Sequence, residues 1–468
     1  MFLLYWSLKS SYKYQNILIL LSSYFFYGWW DWRFLSLIFL NSILDYYVAL
    51  RIEGAESDRR KKIWLWLSLS FNLGMLGLFK YFDFFSTSMA DLLNLVGMEV
   101  EPALLHLILP IGISFYTFQT MSYSIDVYKE RIKPTKDLIQ FLSYVSFFPQ
   151  LVAGPIERAA NILPQFNKIR VFNESKATDG MRQIMWGLFK KVVIADNCAI
   201  YVDYIYENHA ELPGPLLAIG VILFVYQVYC DFSGYSDIAI GTARLFGIDL
   251  MQNFDFPFFA KNMTEFYRKW HISLSTWIRD YLFTPLSLSL RWMSKRYRYI
   301  VVFLITFMFF GFWHGANWTY IVFGLFQGLI LSYEHASRKW RKKMISSSMS
   351  SLYKFSSIIL TFGFWSFSCL IFRARTLSHA WEIFTGIFSN GFAFSLDLVK
   401  AEGGIPLKFL FLVILTFMVI EFLQRSKQHG LAIERIPMPI RWVSYFSLLL
   451  IITNFGIVEE IPFIYFQF

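Results

Sequence analysis

The chain is 468 residues long, 56% of them hydrophobic, 20% aromatic and only 16% charged. A soluble domain carries charge on roughly a quarter of its residues, so that class is excluded. The formal charge of +10 comes from Lys and Arg gathered between apolar runs, at 59–62, 129–136, 291–298 and 338–343; this is how cytoplasmic loops of a multi-span membrane protein are marked, not how a nucleic-acid surface is built.

Residues 1–8 form an apolar stub, too short to cross a bilayer, which takes roughly 20 residues. Residues 17–30 and 34–50 read as two spans and 63–85 as a third, after the charged loop 51–62. Residues 91–101 are polar enough for a loop, and 104–125 reads as a span interrupted by Pro110 and Gly112. The middle of the chain is less regular. The stretch 138–154 is apolar but broken by Pro149 and Gly154, which suits a short or re-entrant segment. Residues 155–180 are mixed, 181–206 are apolar around Lys190 and Lys191, and 215–240 begins as a clean span that turns polar at Asp231. Irregular backbone at membrane depth survives only inside protein or along a cavity, so the working part is expected here.

Residues 261–283 carry Met263, Phe266, Tyr267, Trp270, Leu274, Trp277, Ile278, Tyr281 and Leu282 at helical spacing, with charged residues between them. The pattern predicts an amphipathic helix lying at the membrane surface or dipping into the protein. Residues 300–333 are apolar with basic clusters at both ends, which predicts a hairpin of two helices with both ends cytoplasmic. Further spans are expected at 352–372, 407–423 and 442–457, with 380–394 a weaker one and 346–351 a Ser-rich linker. The expected whole is one all-α polytopic membrane domain over residues 1–468, of roughly ten to thirteen helices with re-entrant and amphipathic segments.

Cys198, Cys230 and Cys369 stand alone, in no metal-ligand or disulfide spacing. The chain has no phosphate-binding glycine loop, no HExxH, no GxSxG elbow, no arginine-repeat voltage sensor and no two-half transporter symmetry. What remains is a small set of polar residues in apolar surroundings. His314, in Gly311-Phe312-Trp313-His314-Gly315-Ala316-Asn317-Trp318, follows 14 residues without a charge. It lies roughly 20 Å along its helix, and an ionisable group at that depth marks function unless a neighbouring carbonyl satisfies it. In a continuing helix Asn317 would share its face and could orient the ring. His271 sits at the edge of the 261–283 stripe. Asp231, Ser233 and Tyr235 either line a polar pocket or hold a bent helix as a hydrogen-bond network. Glu157 and Arg158 follow the Pro/Gly break, as a salt bridge or as part of a site.

Taken together, 148–158, 229–241 (YCDFSGYSDIAIG), 253–284 (NFDFPFFAKNMTEFYRKWHISLSTWIRDYLFT) and 311–318 (GFWHGANW) resemble the membrane-bound O-acyltransferases. They are most similar to the bacterial branch that holds alginate O-acetyltransferases and teichoic acid D-alanyl transferases. Residues 15–45 and the ending 463–468 (FIYFQF) fit the alginate type better. The resemblance implies a ring of helices around a funnel in the bacterial inner membrane. It makes His314 the family's catalytic histidine, places His271 at a second family position and matches Arg158 to an arginine of alginate-type members; Trp313 and Asn317 join Asp231, Ser233 and Tyr235 as lining candidates. It implies acetyl transfer from a cytoplasmic thioester, acetyl-CoA, to an exported polysaccharide or to an extracytoplasmic protein that relays the acetyl group. No bound cofactor, metal or nucleic acid is expected. His314 would act as general base, since a neutral imidazole accepts a hydroxyl proton at physiological pH. Two alternatives stay open: a D-alanyl transferase fed by an acyl carrier protein, and a lipid-linked glycan transporter. Family members begin with a full span, so this chain is expected to start inside one.

Overall fold

The computed structural model describes residues 1–345, 350–399, 402–457, 461 and 463–464. Residues 346–349 of the expected Ser-rich linker, and 465–468 of the family-like ending, lie outside the described residues. Every regular element among the described residues is helical. Seven helical stretches there are long and apolar enough to cross a membrane: Tyr12–Glu53, Asp58–Leu95, Gly214–Leu245, Lys295–His314, Leu352–Arg373, Leu407–Gln424 and Met438–Phe455. The protein is an all-α, multi-pass membrane protein. Its chain divides into two compact units, Met1–Met181 with Ala239–Met251, and Arg182–Ile238 with Gln252–Phe468.

In the first unit, helices Tyr12–Asp31 and Leu35–Glu53 part where Asp31 takes an extended backbone. Leu35–Glu53, Asp58–Leu76 and Ile113–Tyr128 pack together through polar side chains. Asn41 Nδ2 donates to Asn72 Oδ1 (3.1 Å), Asn72 Nδ2 to Asp45 Oδ2 (2.9 Å), Thr120 Oγ1 to Asn41 Oδ1 (3.1 Å) and Ser124 Oγ to Asp45 Oδ1 (2.8 Å). Between spanning helices, where lipid is as apolar as leucine, such bonds are the specific attraction. The expected span 104–125 is shorter than its hydropathy suggests. Its helix begins only at Ile113, because Gly112 before it is left-handed (φ +75°), and a Cβ there would meet the Leu151 carbonyl oxygen at 2.5 Å. The 138–154 stretch is two short helices, Leu138–Val145 and Phe148–Leu151, the second opened by Pro149 near its first turn.

In the second unit, Gly214–Leu245 contributes its residues up to Ile238 and stays helical through the polar run that begins at Asp231. The expected single helix 261–283 is broken. Met263–Tyr267 is one short helix and Ile272–Ile278 another, followed by the wider turn Arg279–Phe283. The first is closed by its own sequence: Asn262 Oδ1 accepts the Glu265 N–H (2.9 Å), and Glu265 Oε2 reaches back to the Lys261 N–H (3.1 Å). The break falls at His271, whose backbone is left-handed (φ 43°, ψ 56°). The apolar stripe still buries, with Met263, Phe266, Trp270, Leu274 and Trp277 inside the protein rather than on a membrane surface.

Residues 300–333 lie in two helices, Lys295–His314 and Trp318–Ile345. They approach so closely that a Cβ on Gly311 would stand 2.0 Å from the Tyr320 carbonyl oxygen, and one on Gly324 2.0 Å from that of Phe307. Small residues at such crossings let two backbones touch. Helix Leu377–Ser389, with 13 residues, spans only about 20 Å and does not cross a bilayer.

Candidate active site

His314 is the last residue of helix Lys295–His314, which ends because Gly315 turns extended. Its imidazole is buried among aromatic rings: Phe310 and Trp313 at 5.0 Å between centroids, Phe372 at 5.3 Å and Phe323 at 6.2 Å. His271 is fully buried, with the edge of one ring meeting the face of the other against Phe232, 4.5 Å away at 90°. The Trp313 indole touches both histidines, at 5.8 Å from His271 and 5.0 Å from His314. The structure therefore brings His271, Trp313 and His314 into one aromatic enclosure, although 43 residues of sequence separate the two imidazoles. Burial pushes the His271 imidazole well below the ordinary histidine pKa, and the nearby His314 pushes the same way.

Other candidates resolve differently. Asn317 does not share a face with His314, because the helix stops before it. Its Oδ1 accepts the Thr319 N–H (3.0 Å) and its Nδ2 donates to the Arg375 carbonyl (3.2 Å), so it starts the next helix. Asp231 pairs with Lys191 (2.8 Å) and accepts the Ile464 N–H (2.7 Å). Ser233 accepts from Lys190 (2.9 Å), which also pairs with Asp237 (2.5 Å). These two residues belong to a buried ion-pair network. It is seated where Gly187 and Gly234 let the helices approach, a Cβ on Gly187 falling 2.5 Å from the Gly234 carbonyl oxygen. Tyr235 lies against Phe463, 5.2 Å between centroids. Arg158 belongs to the first unit, at the N-terminus of helix Ala159–Phe166.

Two buried carboxylates of the second unit escaped the sequence reading. Glu421, buried in Leu407–Gln424, accepts the Tyr229 hydroxyl at 2.8 and 3.0 Å. A carboxylate in so apolar a run is the same signal that singled out His314. Glu334, from the helix after His314, accepts the Met263 N–H (2.7 Å) and the Thr264 N–H (3.0 Å) and so caps the short helix leading to His271. Among the described residues, no three or more of His, Cys, Asp and Glu form a group that could hold a metal ion.

A family model of the membrane-bound O-acyltransferases matches residues 33–377, a stretch that contains both histidines and Trp313. The chain belongs to the membrane-bound O-acyltransferase family. It is an acyltransferase, and the transporter alternative falls away. Among its curated relatives is a probable alginate O-acetylase AlgI of Azotobacter vinelandii, 38% identical over 83% of this chain and 76% of that protein. A peptidoglycan O-acetyltransferase of Helicobacter pylori is 36% identical over 80% of this chain and 74% of that protein. A teichoic acid D-alanyltransferase of Bacillus subtilis is 28% identical over 64% of this chain and 79% of that protein.

Proposed function

We propose that this membrane-bound O-acyltransferase moves an acetyl group from acetyl-CoA, reached from the cytoplasm of a bacterial cell through the inner membrane, to hydroxyls of an exported polysaccharide, directly or through an extracytoplasmic protein that relays it. His314 is the general base. It takes the proton of the acceptor hydroxyl as that oxygen attacks the thioester carbonyl; the C–S bond breaks, and the departing thiolate takes up a proton. A base so placed accelerates transfer by roughly 10² to 10⁴. His271, the second imidazole of the same enclosure, is the second catalytic residue of the transfer, and Trp313 is the wall they share.

The observation that carries this reading is the burial of His314 at the C-terminal end of helix Lys295–His314, in an aromatic enclosure with a second imidazole. Aromatic walls exclude the water that would otherwise hydrolyse the thioester. The higher identity to proteins named as O-acetylases than to one named as a D-alanyltransferase favours acetyl over D-alanyl. The test offers the purified protein a deacetylated polysaccharide acceptor together with acetyl-CoA and, separately, the same acceptor with a D-alanyl thioester of an acyl carrier protein. Consumption of acetyl-CoA, lost in His314→Ala, is expected. Consumption of the D-alanyl thioester alone would replace this reading with the carrier-fed one.

A further inference from the structure

His271 holds a backbone conformation that a side chain with a Cβ rarely adopts, and such residues persist only where their surroundings over-determine them. The surroundings here converge on one residue, Asn253. Its carbonyl oxygen accepts the Ile272 N–H (2.9 Å), and its Oδ1 accepts both the Ser273 N–H (3.3 Å) and the Ser273 hydroxyl (2.9 Å). These are the first two backbone donors after the left-handed residue. Two residues on, the Asp255 N–H donates to the Lys269 carbonyl (2.9 Å), so 253–255 grips the turn on both sides of His271. The other end of the Asn253 amide donates to Ser236 Oγ (3.1 Å), and Asn253 is fully buried. Ser236 stands four residues after Phe232 on the same helix, and positions four apart share a helix face. One helix face therefore presents the ring that packs on the His271 imidazole and the hydroxyl that anchors the clamp on its backbone.

From this geometry we infer that Asn253 is a positioning residue for His271: it locks the left-handed turn and ties it to the helix face that fixes the imidazole beside Trp313. The inference rests on the proposed use of His271 in acyl transfer, but its structural half stands apart from it and is tested apart.

Two double-mutant cycles use Asn253→Ala and His271→Gly in the full-length protein purified in detergent. The first reads thermal stability. Glycine takes a left-handed backbone without strain, so it has less need of the clamp. Asn253→Ala should lower the melting temperature by about 2 °C or more in the wild-type background, and by clearly less beside His271→Gly. Equal drops in both backgrounds overturn the clamp. The second cycle reads CoA release from acetyl-CoA, with chemically deacetylated alginate as the probe acceptor. Asn253→Ala should lower kcat at least tenfold with the KM for acetyl-CoA unchanged, Asn253→Asp, which keeps the accepting oxygen, should recover part of the loss, and Asn253→Ala should cost less than twofold beside His271→Gly. An undiminished cost in that background shows Asn253 acting other than through His271 and overturns the inference. Wild-type turnover by His271→Gly alone refutes the use of His271, and with it the positioning role, while the stability cycle still decides whether the clamp exists. If Asn253→Ala fails to accumulate, Ser273→Ala, which removes one bond of the clamp, carries both cycles with the same signs.

Discussion

Glu157 is nearly fully buried in the first unit, where its Oε1 accepts the Met251 N–H. Burial pushes its carboxyl up to about 7, against the backbone donors of Met251 and Arg158 and the Arg158 charge, which pull it down. In the unfolded chain a Glu titrates near about 4.3. Between those two values the folded protein keeps a proton that the unfolded chain has released, so stability falls as pH rises through that window. We predict that wild type loses stability between pH 5 and pH 7, on the order of a few kcal/mol, and that Glu157→Gln flattens the decline. Melting in detergent across that range checks it; a variant as steep as wild type contradicts it. Single residues also show what is legible in a sequence. His314 stands out as an ionisable group after an uncharged run, and Glu421 is readable by the same test. The burial of His271 is not readable, because its left-handed turn depends on Asn253, 18 positions earlier, and on Phe232, 39 earlier. Asn317 misleads because Gly315 ends the helix that would have placed it beside His314.

The elements divide along the same line. Hydropathy finds helices Tyr12–Asp31, Leu35–Glu53, Leu407–Gln424 and Met438–Phe455, because each is predominantly apolar with few charged residues along its length. It misjudges 261–283, where apolar spacing reports burial and not continuity: two short helices share one buried stripe across a turn that periodicity cannot register. The pair Lys295–His314 and Trp318–Ile345 is legible as two helices from its length, whereas its tightness becomes visible only at Gly311 and Gly324. Gly324→Val should force that pair apart, since its Cβ would meet the Phe307 carbonyl oxygen at 2.0 Å. The expected cost is about 1–3 kcal/mol or more, with displacement of His314 and loss of acyl transfer. Detergent melting and CoA release read the two effects, and unchanged values for both contradict the close crossing.

At the scale of the whole molecule, composition and the placement of basic clusters carry the membrane class, while the division into two compact units has no sequence marker: no linker, repeat or shift in composition falls at 181, 238 or 251. Contacts between residues far apart in sequence define those units, and one chain's pattern does not encode them. Sidedness is legible in principle from the basic residues. Cysteines introduced at Ser294 and Ser337 should both react with a membrane-impermeant maleimide only from the cytoplasmic face; labelling from opposite faces contradicts a hairpin with two cytoplasmic ends. Acyl transfer in this protein turns on His314 as a base deep within the fold. His314→Gln keeps a polar side chain and removes the basic nitrogen, so its turnover of acetyl-CoA with a polysaccharide acceptor is the most direct measurement. At wild-type levels of inserted protein, kcat should fall by roughly 10² to 10⁴; turnover at the wild-type rate would contradict general-base catalysis by His314.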